Sequence, residues 1–162
     1  MDRNEVTNNT TFEFCDFSNE EHLRNFAGLV NEYISDPMGG GEPLTHLQQL
    51  RLVDGMANHP SGFVIFALNK DLIVGLVTCF VNFSTFKAKN YLYIHDIIVR
   101  EEFRGKGIGR QLIQRCINLA IERKYCKVTL EVRNDNVIAK RLYESFGFRD
   151  TDPMMHFWTR EL

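Results

Sequence analysis

Arg104-Gly105-Lys106-Gly107-Ile108-Gly109 is the stretch whose residue types and spacing best prepare a site for chemistry. Glycines at 105, 107 and 109 remove Cβ atoms from the backbone, so anionic oxygens can approach the amides closely. Upstream, residues 91–99 are rich in aromatic and β-branched types that suit a pleated strand. Downstream, Ile108, Leu112, Ile113, Cys116, Ile117, Ala120 and Ile121 recur at helical spacing as one apolar stripe. A strand, a glycine-rich turn and a helix start make an anion cradle, because outward N–H groups meet the positive end of the helix dipole. The expected ligand carries phosphate.

The glycine register sorts the phosphate-binding alternatives. A P-loop needs G-x-x-x-x-G-K-[ST], and Lys106 is misplaced for it, with no Ser or Thr behind. A dinucleotide fingerprint needs G-x-G-x-x-G, and apart from Glu131 no acidic residue ends a following strand at the expected distance. The spacing that fits is Arg-x-x-Gly-x-Gly, in Arg104, Gly107 and Gly109. It resembles the acetyl-CoA signature of the GNAT superfamily of N-acetyltransferases, where this turn wraps the pyrophosphate. Asn136 and Tyr143, seven residues apart on the helix after the fifth strand, extend the resemblance. It covers nearly the whole chain in element order and is strongest over residues 91–148.

The resemblance implies acetyl-CoA as co-substrate, an amine as acceptor and no metal. Its cofactor-binding residues map to Gly105, Lys106, Gly107, Ile108, Gly109 and Arg110 in the turn, and to Asn136 and Ala139. In the family the fourth and fifth strands splay and pantetheine pairs with the freed edge, here Ile97, Ile98 and Val99. Arg104 has two readings, a direct phosphate contact or a surface arginine that fixes the turn.

Acetyl transfer from a thioester to an amine needs a bound donor, a neutral nucleophile and a proton for the leaving thiolate. By resemblance Tyr143 is the acid. A phenol of pKa about 10 protonating a thiolate of about 8.5 works uphill by about 2 kcal/mol, small beside the barrier an enzyme removes. An amine like that of lysine is neutral in only about one molecule in a thousand at pH 7, so a base or a water chain must take its proton. His95 and Asp96 precede the pantetheine edge, and several GNAT relatives use a carboxylate at one of these two positions. Histidine suits the task by its ordinary pKa. Adjacent strand residues face opposite sides, so only one of the two points into a given cleft unless a bulge intervenes. Glu131 is a third candidate, and the choice of base stays open.

Met38-Gly39-Gly40-Gly41 lies between the first two helices, where this fold commonly borders the acceptor site; it reads as a closing loop or as a flexible connector. The acceptor is left open among polyamines, aminoglycosides, amino acids and protein N-termini, as is the acyl length. A non-catalytic acyl-CoA-binding module is the competing function, and Tyr143 with a nearby carboxylate argues against it.

These residues need a scaffold. Residues 11–17 alternate as a first strand, and Ser18 followed by Glu21 marks a capping box for a helix ending at Asp36-Pro37. A second helix begins after Glu42-Pro43. Residues 63–68 and 72–83 flank Asn69-Lys70-Asp71 as a hairpin. Strands over 91–99 and 126–132, a helix over 134–146 with Ile138 on its apolar side, and a last strand over 154–160 complete the expectation. The fold class is α/β: one GNAT-like domain spanning 1–162, order βααβββαβαββ, with a mixed, mostly antiparallel central sheet flanked by helices.

Composition sets the outer bounds. At 162 residues with 44% hydrophobic and 25% charged, the chain has the make-up of one soluble globular domain. A net charge of −2 argues against a nucleic-acid or anionic-membrane partner. No apolar run is long enough to span a bilayer, and the polar start Met1-Asp2-Arg3-Asn4-Glu5 lacks the apolar core of a secretory signal, so the cytoplasm is expected. The four cysteines sit in apolar segments without C-x-x-C spacing and read as reduced core thiols. The aromatic-rich end (Met154, Met155, Phe157, Trp158) reads either as a homodimer contact or as the last core strand.

Overall fold

The computed structural model describes residues 9–162. It divides into two compact units, one running to Glu131 and the other spanning Val132–Leu162.

The first unit is built on a sheet of order β1-β2-β3-β4-β5: Thr10–Phe14, Gly62–Asn69, Leu72–Ser84, Lys89–Val99 and Val128–Leu130. The first four pair antiparallel and β5 joins β4 in parallel. Lys70, with φ 58°, turns the expected β2–β3 hairpin. Helices α1 (Glu20–Ile34) and α2 (His46–Ala57) contribute Phe26, Leu29 and Met56 to a core with Val64, Phe66, Leu76 and Ile98. Helix α3 (Ile108–Glu122) contributes Ile108, Leu112, Cys116 and Leu119 to a second core with Ile65, Val77, Cys79, Leu92 and Ile94. Fully burying one such aliphatic side chain contributes roughly 1.5–3 kcal/mol, so both sheet faces anchor firmly. Ile121, expected on the apolar stripe of α3, is exposed, and Leu119 is buried in that helix instead.

Helix starts differ from expectation in instructive ways. Asn19, not Ser18, caps α1, its side chain accepting from the amides of Glu21 and His22. Ser18 is held back by Asp16, whose carboxylate accepts from both its amide and its hydroxyl. Thr45 and Gln48 form a reciprocal capping box that opens α2 two residues beyond Pro43.

In the second unit α4 spans Val137–Glu144, shorter than the 134–146 expected, because Asn136 is its N-cap. Ile138 is 85% exposed and does not belong to a buried face. The strand expected over 154–160 does not form, so among the described residues the order ends at α4. Its large residues fall in adjacent pairs, Met154-Met155 and Phe157-Trp158, which would load both faces of a strand, and Pro153 removes a ladder donor. This end is not the last core strand that its composition suggests. Among the described residues no helix is long and apolar enough to cross a membrane.

Candidate active site

The centre of β4 breaks the two-residue alternation. Thr78 pairs with Asp96 and Cys79 with Ile94, so His95 is an additional residue, a β-bulge. Leu92 and Ile94 pack in the α3-side core, and so do Ile97 and Val99; a regular strand would put the second pair on the opposite face. The bulge thus turns both His95 and Asp96 toward the α1–α2 face. The sequence had to choose between them; the backbone presents both.

Their environments differ. His95 is exposed, with its ring edge-on to Phe80 at 5.6 Å and Nδ1 3.3 Å from the Tyr93 hydroxyl. Tyr93 in turn donates to Glu131 Oε1 at 3.0 Å. Burial raises the Asp96 carboxyl above the ordinary aspartate range, opposed by the neighbouring His95 and by the Thr78 hydroxyl. That hydroxyl lies across the ladder without meeting hydrogen-bond geometry, so its opposition is weak.

A raised carboxyl has a definite stability sign. Between its unfolded and folded pKa values the folded protein binds more protons, so this contribution falls as pH rises and the cost is complete above the folded value. Asp96→Asn removes that cost. Its expected melting temperature at pH 7 exceeds that of the parent, and the gap narrows as the buffer is taken toward pH 4, near the ordinary carboxylate pKa of about 3.9. A lower melting temperature at pH 7 contradicts burial as the dominant cause.

Past Ile94 β4 keeps β3 on one side and has lost β5 on the other. Its parallel ladder to β5 covers only Leu92, Tyr93 and Ile94, leaving Ile97, Ile98 and Val99 with no strand beyond them among the described residues. The strand then enters a 3-10 turn, Glu101–Phe103, and the glycine segment. Gly105 and Gly107 both adopt left-handed backbone, φ 72° and 88°, and Gly107 is the N-cap of α3 with no side chain to cover the first-turn amides. The α3 ladder opens with the Gln111 amide on the Gly107 carbonyl, which leaves Ile108 and Gly109 in the first turn ahead of it. Arg110 lies in the first turn and Lys106 Nζ sits 4.9 Å above the Phe103 ring. The cradle fits a phosphate in backbone geometry as well as in sequence.

Arg104 is bonded to the strand before it and to the loop after α1. Its Nε donates to the Val99 carbonyl at 2.9 Å and its Nη1 to Asp36 at 2.7 Å. Asp36 also accepts the Met38 amide at 2.8 Å, and these two bonds, the amide first, hold its carboxyl below the usual range. The loop is tied further, with the Gly39 and Gly40 amides on the Asp36 carbonyl and the Gly41 amide on the Ile34 carbonyl. A Cβ on Gly39 would stand 1.9 Å from the Tyr33 carbonyl oxygen. Gly39 thus permits a close backbone approach that a side chain would block, and Gly40 adopts left-handed backbone, φ 68°. A cleft of about 950 Å³ lies beside this loop, lined by Glu32, Asp36, Met38, Arg100, Glu102 and Arg104 among others.

In the second unit Asn136 accepts the Ala139 amide at 3.1 Å, and Tyr143 is half-buried with its ring 6.2 Å from that of Phe148.

The Acetyltransferase (GNAT) family model matches residues 26–148. The chain belongs to the GNAT acetyltransferase family. Among its GNAT relatives are thialysine N-epsilon-acetyltransferase of Bos taurus, 33% identical over 48% of this chain and 45% of the relative. Another is L-ornithine N5-acetyltransferase NATA1 of Arabidopsis thaliana, 36% identical over 49% of this chain and 35% of that one. The chain thus spans less than half the length of these two relatives. The GNAT fold itself is matched by an aminoglycoside acetyltransferase from an uncultured soil metagenomic sample, solved with sisomicin: TM-score 0.79, 20% identity, 97% of this chain and 99% of that one.

Sequence spacing pointed to the glycine turn, the strand edge and the His95-Asp96 step, and gave no sign of the Arg104–Asp36 and Tyr93–Glu131 pairs. Asp36 was read only as a helix stop before Pro37, although an aspartate there is a common local acceptor for loop amides. The cradle supplies a direct test. Alanine at Gly107 must take left-handed backbone, which costs about 1–2 kcal/mol, and adds a methyl where phosphate is expected. Gly107→Ala is expected to lower the melting temperature and to raise KM for acetyl-CoA at least about tenfold, the equivalent of 1.4 kcal/mol. A KM equal to that of the parent argues against this turn as the donor site.

Proposed function

We propose that this protein transfers an acetyl group from acetyl-CoA to a primary amine of a small molecule or peptide. The observation that carries the reading is the continuity of β4. It loses its β5 partner after Ile94, ends at Val99, and leads through one 3-10 turn into the left-handed Gly107 turn. One strand thereby offers an open backbone edge for an extended pantetheine arm, at Ile97, Ile98 and Val99, followed by a cradle for its pyrophosphate. Asn136 and Ala139 are assigned to the same donor. Relatives named for thialysine and ornithine support an amine as acceptor. We assign Met38, Gly39, Gly40 and Gly41, in the loop after α1, to the border of the acceptor site.

In the reaction the amine nitrogen attacks the thioester carbonyl carbon; a C–N bond forms and the C–S bond breaks. The ammonium proton leaves through His95, the base we favour because the bulge exposes it, while Asp96 beside it is kept from water. Tyr143 gives its phenolic proton to the departing sulfur and recovers one from solvent. The same reading places the enzyme in the cytoplasm. Mass spectrometry of candidate amines after incubation with acetyl-CoA tests it: an N-acetylated amine is expected. Thioester consumed with every amine unchanged would mean that water is the acceptor, and would overturn the proposal.

A further inference from the structure

We propose that Tyr93 and Glu131 are positioning residues that hold His95 as the Nδ1–H tautomer, leaving Nε2 as the nitrogen that accepts a proton. The proposal rests on the reading of His95 as base given above. Its structural half stands on hydrogen-bond counting.

The Tyr93 hydroxyl carries one proton, and it goes to Glu131 Oε1 at 3.0 Å, since an ionised carboxylate has none to give. Only oxygen lone pairs then remain for His95 Nδ1, 3.3 Å away. That contact is a hydrogen bond only if Nδ1 is the donor, which leaves the lone pair of the neutral ring on Nε2. Burial, then the Glu131 bond, pushes the Tyr93 phenol up to about 12, so it keeps its proton across the working pH range.

The backbone makes the arrangement. Thr129 pairs in parallel with Tyr93, and Glu131, two residues further on, falls on the same face just where β5 ends. His95 is the bulge residue two positions beyond Tyr93. Its ring is confined between the edge of Phe80 and the tilted face of Tyr93, both at 5.6 Å. The other titratable neighbours are Asp96 on β4, which shares the face, and His59, whose ring lies 4.8 Å from that of Phe80. Among the described residues neither makes a hydrogen bond to the His95 ring nitrogens, and Asp96 is coupled to the ring by charge.

The test uses the full-length ¹⁵N-labelled protein and long-range ¹H–¹⁵N spectra at a pH where the rings are neutral. The His95 signals are assigned by their loss in His95→Gln. The parent is expected to show a protonated Nδ1 and an unprotonated Nε2. Tyr93→Phe removes the acceptor, and Glu131→Ala frees the Tyr93 hydroxyl to donate. Both variants are expected to move His95 toward the Nε2–H form that imidazole favours in water. An Nε2–H ring in the parent, or an unchanged His95 pattern in either variant, overturns the proposal. The readout needs no turnover, so it stays separate from whether His95 is the base, which the kinetics of His95→Gln decide.

Discussion

Phenylalanine in place of Tyr143 is expected to lower kcat by about 100-fold or more, the scale that a positioned acid contributes. Affinity for acetyl-CoA should change by less than about threefold, under 1 kcal/mol. The substitution removes one oxygen. The ring, its packing against Phe148 and its place on α4 persist, so loss of rate cannot be charged to a lost helix. The split between rate and affinity is what identifies an acid: protonating the leaving sulfur matters only once the C–S bond is breaking. A kcat equal to that of the parent removes Tyr143 from the role. A large rise in the dissociation constant for acetyl-CoA with little loss of kcat would make it a binding residue instead.

His95→Gln is the second large effect. It is expected to lower kcat/KM by about 100-fold, the scale that a positioned base contributes. Asp96→Asn is expected to cost less, since its carboxyl is half-buried and held out of water beside Thr78. The two variants form a matched comparison, because the bulge puts both side chains on one face of β4. A larger loss for Asp96→Asn, with His95→Gln close to the parent, would transfer the base to Asp96.

The cradle was legible because glycine pattern, strand and helix are all local: residues 91–121 contain every cue. The end of the β4–β5 ladder was available only through the family resemblance, and the register confirms it at Ile94. The bulge was not legible. The composition of residues 91–99 is consistent with a regular strand, and only the pairing of Thr78 with Asp96 and Cys79 with Ile94 shows that His95 is additional. Long-range polar pairs were equally hidden. Tyr93 and Glu131 are 38 residues apart and meet through parallel register, while Arg104 and Asp36 are 68 apart. Capping was misplaced at α1 because Asp16 competes for Ser18, a contact that no spacing rule reports. The last strand was over-read from composition, since aromatic and methionine residues in adjacent pairs do not make one face.

The central claim is that one strand edge and one glycine turn present acetyl-CoA to an amine. Release of free thiol from acetyl-CoA, followed across polyamines, amino acids, aminoglycosides and peptide N-termini, tests it most directly. The account predicts thiol release that depends on at least one amine, saturates with it and collapses in Tyr143→Phe. Tight, stoichiometric acetyl-CoA binding with no amine-dependent thiol release from any acceptor would contradict it, and would leave a module that binds the donor without using it.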